Sequence, residues 1–245
     1  MDNKNSFKKL TSTLCLLALM FAGTASAKYK SGEIYDENGL KGIIVYVDDS
    51  GEHGLIMSLE RCGKKWLKDS DEKFGTAAFY EDDGQKNMDA LQGYINENNL
   101  SWELFPLFEW ARSLGEGWYI PATDELAYIL QTINGGEGKF NKKYMKNVSK
   151  SIKKADGDKL MDSGFGAAHD NHPYIMYSST EADGGTVYML YFQESMGSMA
   201  KKAISSMGGL GTLTGKTPKG EFKIQAMPKN IGGKSMYGSR AVHKF

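Results

Sequence analysis

Cysteine is almost missing from this chain: two residues in 245, and one of them, Cys15, lies within the first 27. With Cys62 alone beyond that point no internal disulfide can form, so the fold must be held by packing. An excess of one charge is missing as well, since 30 basic residues face 30 acidic ones. Setting aside the three lysines and one aspartate of residues 1–27 leaves 27 against 29. A balance near −2 gives no ground for a nucleic-acid partner or for an anionic membrane surface. Long apolar runs are lacking too. Leu14 to Ala22 falls far short of the roughly 20 residues that cross a bilayer, so no transmembrane segment is expected in the mature chain. No internal repeat shows.

What the first 27 residues do contain is an export signal: Lys4, Lys8 and Lys9, then the apolar run, then the small-residue cleavage pattern Ala25, Ser26, Ala27. Cleavage before Lys28 sends the protein to the periplasm, the cell surface or the medium. Cys15 sits inside the apolar run behind Ser12, Thr13 and Leu14, a context unlike a lipidation site. Residues 28–245 are then read as one α+β domain. Within it Cys62 has cations at Arg61, Lys64 and Lys65 but no histidine or second cysteine nearby, which reads as a lone thiol.

Residues 28–68 have a β pattern. Asn38 and Gly39 signal a hairpin, 43–47 are an apolar, mainly β-branched run, and a polar turn holding His53 precedes Leu55, Ile56 and Met57. Residues 69–85 read as a polar connecting loop. Helical spacing follows in four places. Met88, Leu91, Tyr94 and Ile95 share one face; Leu107, Trp110, Ala111 and Leu114 follow Pro106; Leu126, Ile129, Leu130 and Ile133 recur in a third stretch; Tyr144, Met145, Val148 and Ile152 in a fourth. The lysines of the fourth read as a solvated face, because no arginine or aromatic interleaves with them. Strands are predicted over 174–178, 187–192, 221–227 and 239–243, separated by glycine-rich connections. Strands, then helices, then strands indicate α+β with mainly antiparallel sheets and three to four helices.

The sharpest local signal is 115–130. Gly115 closes the second helix, Gly117 turns the chain, Trp118 and Ile120 are expected to pack inward, Pro121 makes a corner and Thr123 caps the third helix. Asp124 and Glu125 then stand where the helix dipole favours negative charge.

Chemistry is harder to find. GTLTGKT at 211–217 lacks the first glycine of a phosphate-binding loop and is followed by Pro218. His169 and His172 are the best metal candidates, but they sit in a glycine- and proline-bounded loop without an obvious third ligand. No serine has a nucleophile-elbow context, and no local signature marks a carboxylate pair. Tyr177, Ser178, Ser179, Thr180 and Glu181 form the most distinctive polar cluster, read as hydroxyls and a carboxylate bracing a strand end. No cofactor is expected.

Three fragments occur in order: GEGWYIPATDEL, including Gly115, Gly117, Trp118, Pro121, Glu125 and Leu126; YSSTEA with VYMLYF; and SRAVHKF, including Arg240. In this combination the chain resembles the C-terminal domain of Legionella collagen-like adhesins and the Fibrobacter succinogenes major paralogous domain, in the form carried by exported Bacteroidetes proteins. The resemblance covers about 106–245 and implies a C-type-lectin-like fold over 86–245. It does not imply calcium-dependent sugar binding, because the E-P-N, Q-P-D and W-N-D triplets are absent. Formylglycine-generating chemistry uses a pair of cysteines, and the single cysteine beyond residue 27 argues against it.

The expectation is an exported binding module, adhesive, that recognises a glycan or another extracellular polymer. Tyr174, Tyr188, Tyr191 and Tyr237 are the expected sugar platforms, with loops 157–173, 184–186 and 195–220 as the variable surface. Tyr188 and Tyr191 should not both face outward, given the alternation of a strand. An envelope enzyme acting on polysaccharide or peptidoglycan is the first alternative, marked by a pocket with two carboxylates of which one is strongly shifted. A structural envelope component is the second.

Overall fold

Asn38 and Gly39 both take positive φ, 55° and 77°, as a two-residue type I′ hairpin requires. They join β1 (Ile34–Glu37) to β2 (Leu40–Val47) with Glu37 opposite Leu40, as the Asn-Gly signal predicts. The architecture is that of a computed structural model, which describes residues 28–68, 75–158, 160, 175–194, 220–229 and 239–245. The residues His169, His172, Tyr174 and Tyr237, residues 1–27 and the 211–217 segment lie outside the described residues.

β3 (Gly54–Met57) completes the N-terminal meander. The four helical patterns form α1 (Gly84–Glu97), α2 (Pro106–Ser113), α3 (Thr123–Asn134) and α4 (Lys142–Lys154), with a 3-10 turn (Trp102–Leu104) before α2. The periodic residues of α3, Leu126, Ile129, Leu130 and Ile133, are all buried. In α4, Met145, Val148 and Ile152 are buried, and Tyr144 turns out to solvent. The helix α1 begins two residues earlier than the polar composition suggests, because Asp83 caps it by accepting from the N–H groups of Gln85 and Lys86.

The rest is strand: β4 (Gly138–Lys139), β5 (Ile175–Asp183), β6 (Thr186–Glu194), β7 (Gly220–Pro228) and β8 (Val242–Lys244). They make two antiparallel sheets of four strands, ordered β1-β2-β3-β8 and β4-β7-β6-β5. With the four helices, this is the expected α+β class among the described residues. The last strand therefore closes the N-terminal sheet, pairing Val242 with Met57. α3 lies on β2 beside α4, and α1 lies on β5. One apolar core joins both sheets and all four helices, and a smaller cluster of Tyr35, Ile44 and Ile56 covers the other face of the first sheet. No helix among the described residues is long and apolar enough to cross a membrane.

Three expectations are corrected. Trp118 is only half-buried, and Tyr119 takes the interior place, 1% exposed and bridged to Val242. Tyr119 and Val242 exchange backbone hydrogen bonds at 3.0 and 2.8 Å, and Trp118 packs edge-on against His243, ring centroids 5.4 Å apart, at the rim of the sheet. Gly115 takes positive φ, 130°, but it lies past Leu114, which ends α2 in the right-handed conformation. Thr123 does not cap α3. It is the first helical residue, Ala122 precedes it, and Glu125 reaches back to accept the Ala122 N–H at 2.8 Å.

The third correction concerns 177–181. It does not end a strand but interrupts one: Tyr177 faces Met189 and Glu181 faces Val187, so four steps on β5 match two on β6. In this bulge Ser179 N–H donates to Pro121 O at 2.7 Å and Glu181 N–H to Ala78 O at 2.7 Å. The motif is thus a seam between β5, the proline corner and residues 75–80.

Candidate functional site

A one-residue bulge in β2 builds the most promising surface feature. Ile44 pairs with Ile56, yet Tyr46, two residues on, pairs with the adjacent Leu55. Ile43 and Val45 face the main core and Ile44 the opposite cluster; the extra residue then puts Tyr46 on the same side as Val45. There it meets α3. Tyr128 stacks on Tyr46 with ring centroids 4.3 Å apart and planes 20° from parallel. Thr132, one turn further along α3, fixes the register by donating to Val45 O at 3.0 Å.

The stacked pair borders a cleft of about 430 Å³. Leu55, Gly54 and Phe245 form its apolar side, and Asp48, His53, Asp82, Glu125 and Lys244 its polar side. Tyr128 stays 36% exposed at the rim. Asp48 is set by its turn, accepting from Ser50 and from the Gly51 N–H, and the Ser50 hydroxyl is the main cause holding its carboxyl below the usual range. Asp82 and His53 are exposed, and neither side chain has a hydrogen-bond partner among the described residues.

Glu125 is the one buried carboxyl at the cleft, and its oxygens are already in use. Oε1 accepts the Tyr119 hydroxyl at 2.7 Å, while Oε2 accepts the N–H groups of Ala122 and Gly84 at 2.8 and 3.1 Å. Gly84 has no substitute in this arrangement, since a Cβ would lie 2.4 Å from Ile120 O. Burial raises the Glu125 pKa against these three donors. Beside it, burial opposes ionisation of Asp83, but Lys244 at 3.2 Å and the Lys86 N–H outweigh it and keep that carboxyl low.

Two buried phenols give the fold a pH signature. Burial, and then the Glu125 charge, pushes Tyr119 far above the tyrosine range, and burial pushes Tyr177 up to about 12. The folded state keeps protons that the unfolded chain releases above about pH 10, so this stability is full below that value and falls as pH rises. Lys229 acts the other way, its buried amine being lowered, but its unfolded value of 10.5 limits that gain. The urea midpoint is therefore expected to fall between about pH 10.5 and 11.5, read by tryptophan fluorescence.

Of the expected platforms, Tyr188 and Tyr191 sit on the central strand β6, both half-buried, and neither lines the cleft. Cys62 is buried, and burial raises its thiol pKa despite the neighbouring cations. No group of three His, Cys, Asp or Glu among the described residues can hold a metal ion. Sequence reasoning missed Tyr46 and Tyr128. One signal was present for Tyr128: it lies off the apolar stripe of α3, where a large aromatic has no core to enter. Tyr46 had none, because its direction depends on the bulge. Comparison with protein-family models, with curated proteins and with solved structures finds no match.

Proposed function

We propose that this chain is an exported binding module, of C-type-lectin-like class, that takes a glycan or similar extracellular polymer in the cleft beside Tyr46 and Tyr128. The observation that carries this reading is the stacked tyrosine pair at the mouth of a cleft with uncommitted polar groups. A pyranose has an apolar C–H face that lies against an aromatic ring, and hydroxyls around its edge that seek acceptors and donors. Tyr128 offers the ring, and Asp82 and His53 offer the edge groups. An open cleft with one aromatic wall suits capture and retention. The export signal and the adhesin resemblance support the same class.

A glycan and matrix-polymer binding screen on the purified protein, with and without chelator, tests it. Tyr128→Ala is expected to weaken any glycan found by about tenfold or more, near 1.4 kcal/mol, with the fold intact because the ring is at the surface. Silence across the screen, with turnover of a polysaccharide, contradicts it. Loss of binding in chelator shows that a metal takes part and revives His169 and His172 as candidate ligands.

The enzyme reading has one specific observation in its favour, the raised Glu125 at the cleft wall. The cost is clear in the geometry. A proton moved through Glu125 must disturb the cap of α3 and the Gly84 N–H together.

A further inference from the structure

Residues 75–80 cross the surface next to the cleft and show an unusual combination of exposure and restraint. Phe79 and Tyr80 are 55% and 47% exposed, the two most exposed large hydrophobic side chains among the described residues. Adjacent exposed rings are the pattern of a contact surface. A loose loop would carry them without meaning, but this one is held on both sides.

Before Phe79, Thr76 donates its N–H and its hydroxyl to the buried Glu181, and Ala78 O accepts the Glu181 N–H. After it, the Tyr80 N–H donates to Asn87 Oδ1 at 2.9 Å, and Tyr80 O accepts from Asn87 Nδ2 and Thr180 Oγ1 at 2.7 and 2.8 Å. Ala77, a residue with a Cβ, is held at φ 58° between these anchors. That kink turns Ala78 inward and leaves Phe79 and Tyr80 outside, and strain held in place by surrounding bonds is a mark of a functional segment. The Lys86 ammonium, 5.5 Å above the Tyr80 ring, restrains the ring itself.

The segment runs directly into the cleft. Glu81 O accepts the Asp124 N–H in the first turn of α3 at 2.8 Å, and Asp82, the next residue, forms part of the cleft wall. One residue, Glu81, separates Tyr80 from Asp82, two chain steps that span at most about 7 Å, the length of a sugar unit or two.

We infer that Phe79 and Tyr80 form a second aromatic subsite that continues the Tyr46–Tyr128 cleft, so that the ligand is a β-linked hexopyranose polymer bound over several units. This rests on the glycan reading of the cleft. β-linked gluco-configured units suit two separated aromatic platforms, because all their ring substituents are equatorial and both ring faces present C–H groups. A single terminal sugar would leave the outer platform unused.

The test is a titration calorimetry series of the full protein with β-1,4-linked glucose and N-acetylglucosamine oligomers of two to six units. The unaltered protein is expected to bind the hexamer at least tenfold more tightly than the dimer. Phe79→Ala with Tyr80→Ala should bring hexamer affinity down to that of the dimer and leave the dimer unchanged, whereas Tyr128→Ala should weaken both. A double variant that binds the hexamer like the unaltered protein overturns the subsite while the cleft stands. If Tyr128→Ala leaves dimer binding unchanged, the cleft reading falls instead. Binding to no oligomer overturns both.

Discussion

Replacing Glu181 with alanine is expected to cost the fold about 3–5 kcal/mol, the range for breaking a buried ion pair from one side. Its side chain and that of Lys229 are 0% and 3% exposed, and the Lys229 ammonium donates to Oε1. The same ammonium lies 4.4 Å above the Trp66 ring, itself fully buried. Removing the carboxylate leaves a positive charge in the core and takes away the acceptor of the Thr76 N–H and hydroxyl. For a chain of this size the corresponding fall in Tm is roughly 6–20 °C. Glu181→Gln combined with Lys229→Met should recover most of the loss, because the charge goes and an acceptor for Thr76 remains. Urea denaturation of both variants decides it: a single variant within 1 kcal/mol of the unaltered protein, to within about the error of the method, would show that residues 75–80 are held by something else.

Arg240→Met is expected to be comparably severe, about 3–5 kcal/mol, for a different reason. Arg240 is 0% exposed and gathers three carbonyls from two separate parts of the chain. Nη1 donates to Ser58 O and Leu59 O, and Nη2 to Asp158 O, each at 2.7 Å. Ser58 and Leu59 follow β3, and Asp158 follows α4, so one guanidinium ties the end of β3 to the end of α4. The flanking Ala241 pairs with Ser58 in both directions. The planar fork is what spans three acceptors, and an ammonium is a single point. Arg240→Lys should therefore keep the fold at an intermediate cost, and a lysine variant with full stability in urea would show that charge alone suffices.

These two residues show what could be read from the sequence. Elements whose causes are local were legible: the Asn38-Gly39 turn and the stripe from Leu126 to Ile133 rest on neighbours within a few positions. Arg240 and Glu181 were singled out from motifs, but their partners lie 182 and 105 positions away, beyond any local pattern. Thr123 has the right chemistry for a cap and lost the role to Glu125, whose reach back to Ala122 depends on the Gly84 N–H and Tyr119 converging on the same carboxylate. The tyrosine pair was hidden for the same kind of reason. A bulge shifts every later side chain by one face, and no propensity marks where it falls.

The seam at 177–181 links these observations to the proposed binding surface. It joins the proline corner, the Thr76 to Tyr80 backbone and the buried ion pair. Through these bonds residues 75–80 are held beside the first turn of α3.

The most direct measurement of the account is a backbone and side-chain NMR titration of the protein with a β-1,4-linked glucose or N-acetylglucosamine hexamer. The account predicts that the largest saturable shifts fall at Tyr46, Asp48, His53, Asp82 and Tyr128, with Phe79 and Tyr80 following at the same affinity. Saturable shifts confined to the β6 tyrosines, Tyr188 and Tyr191, with the cleft residues unmoved, would contradict it.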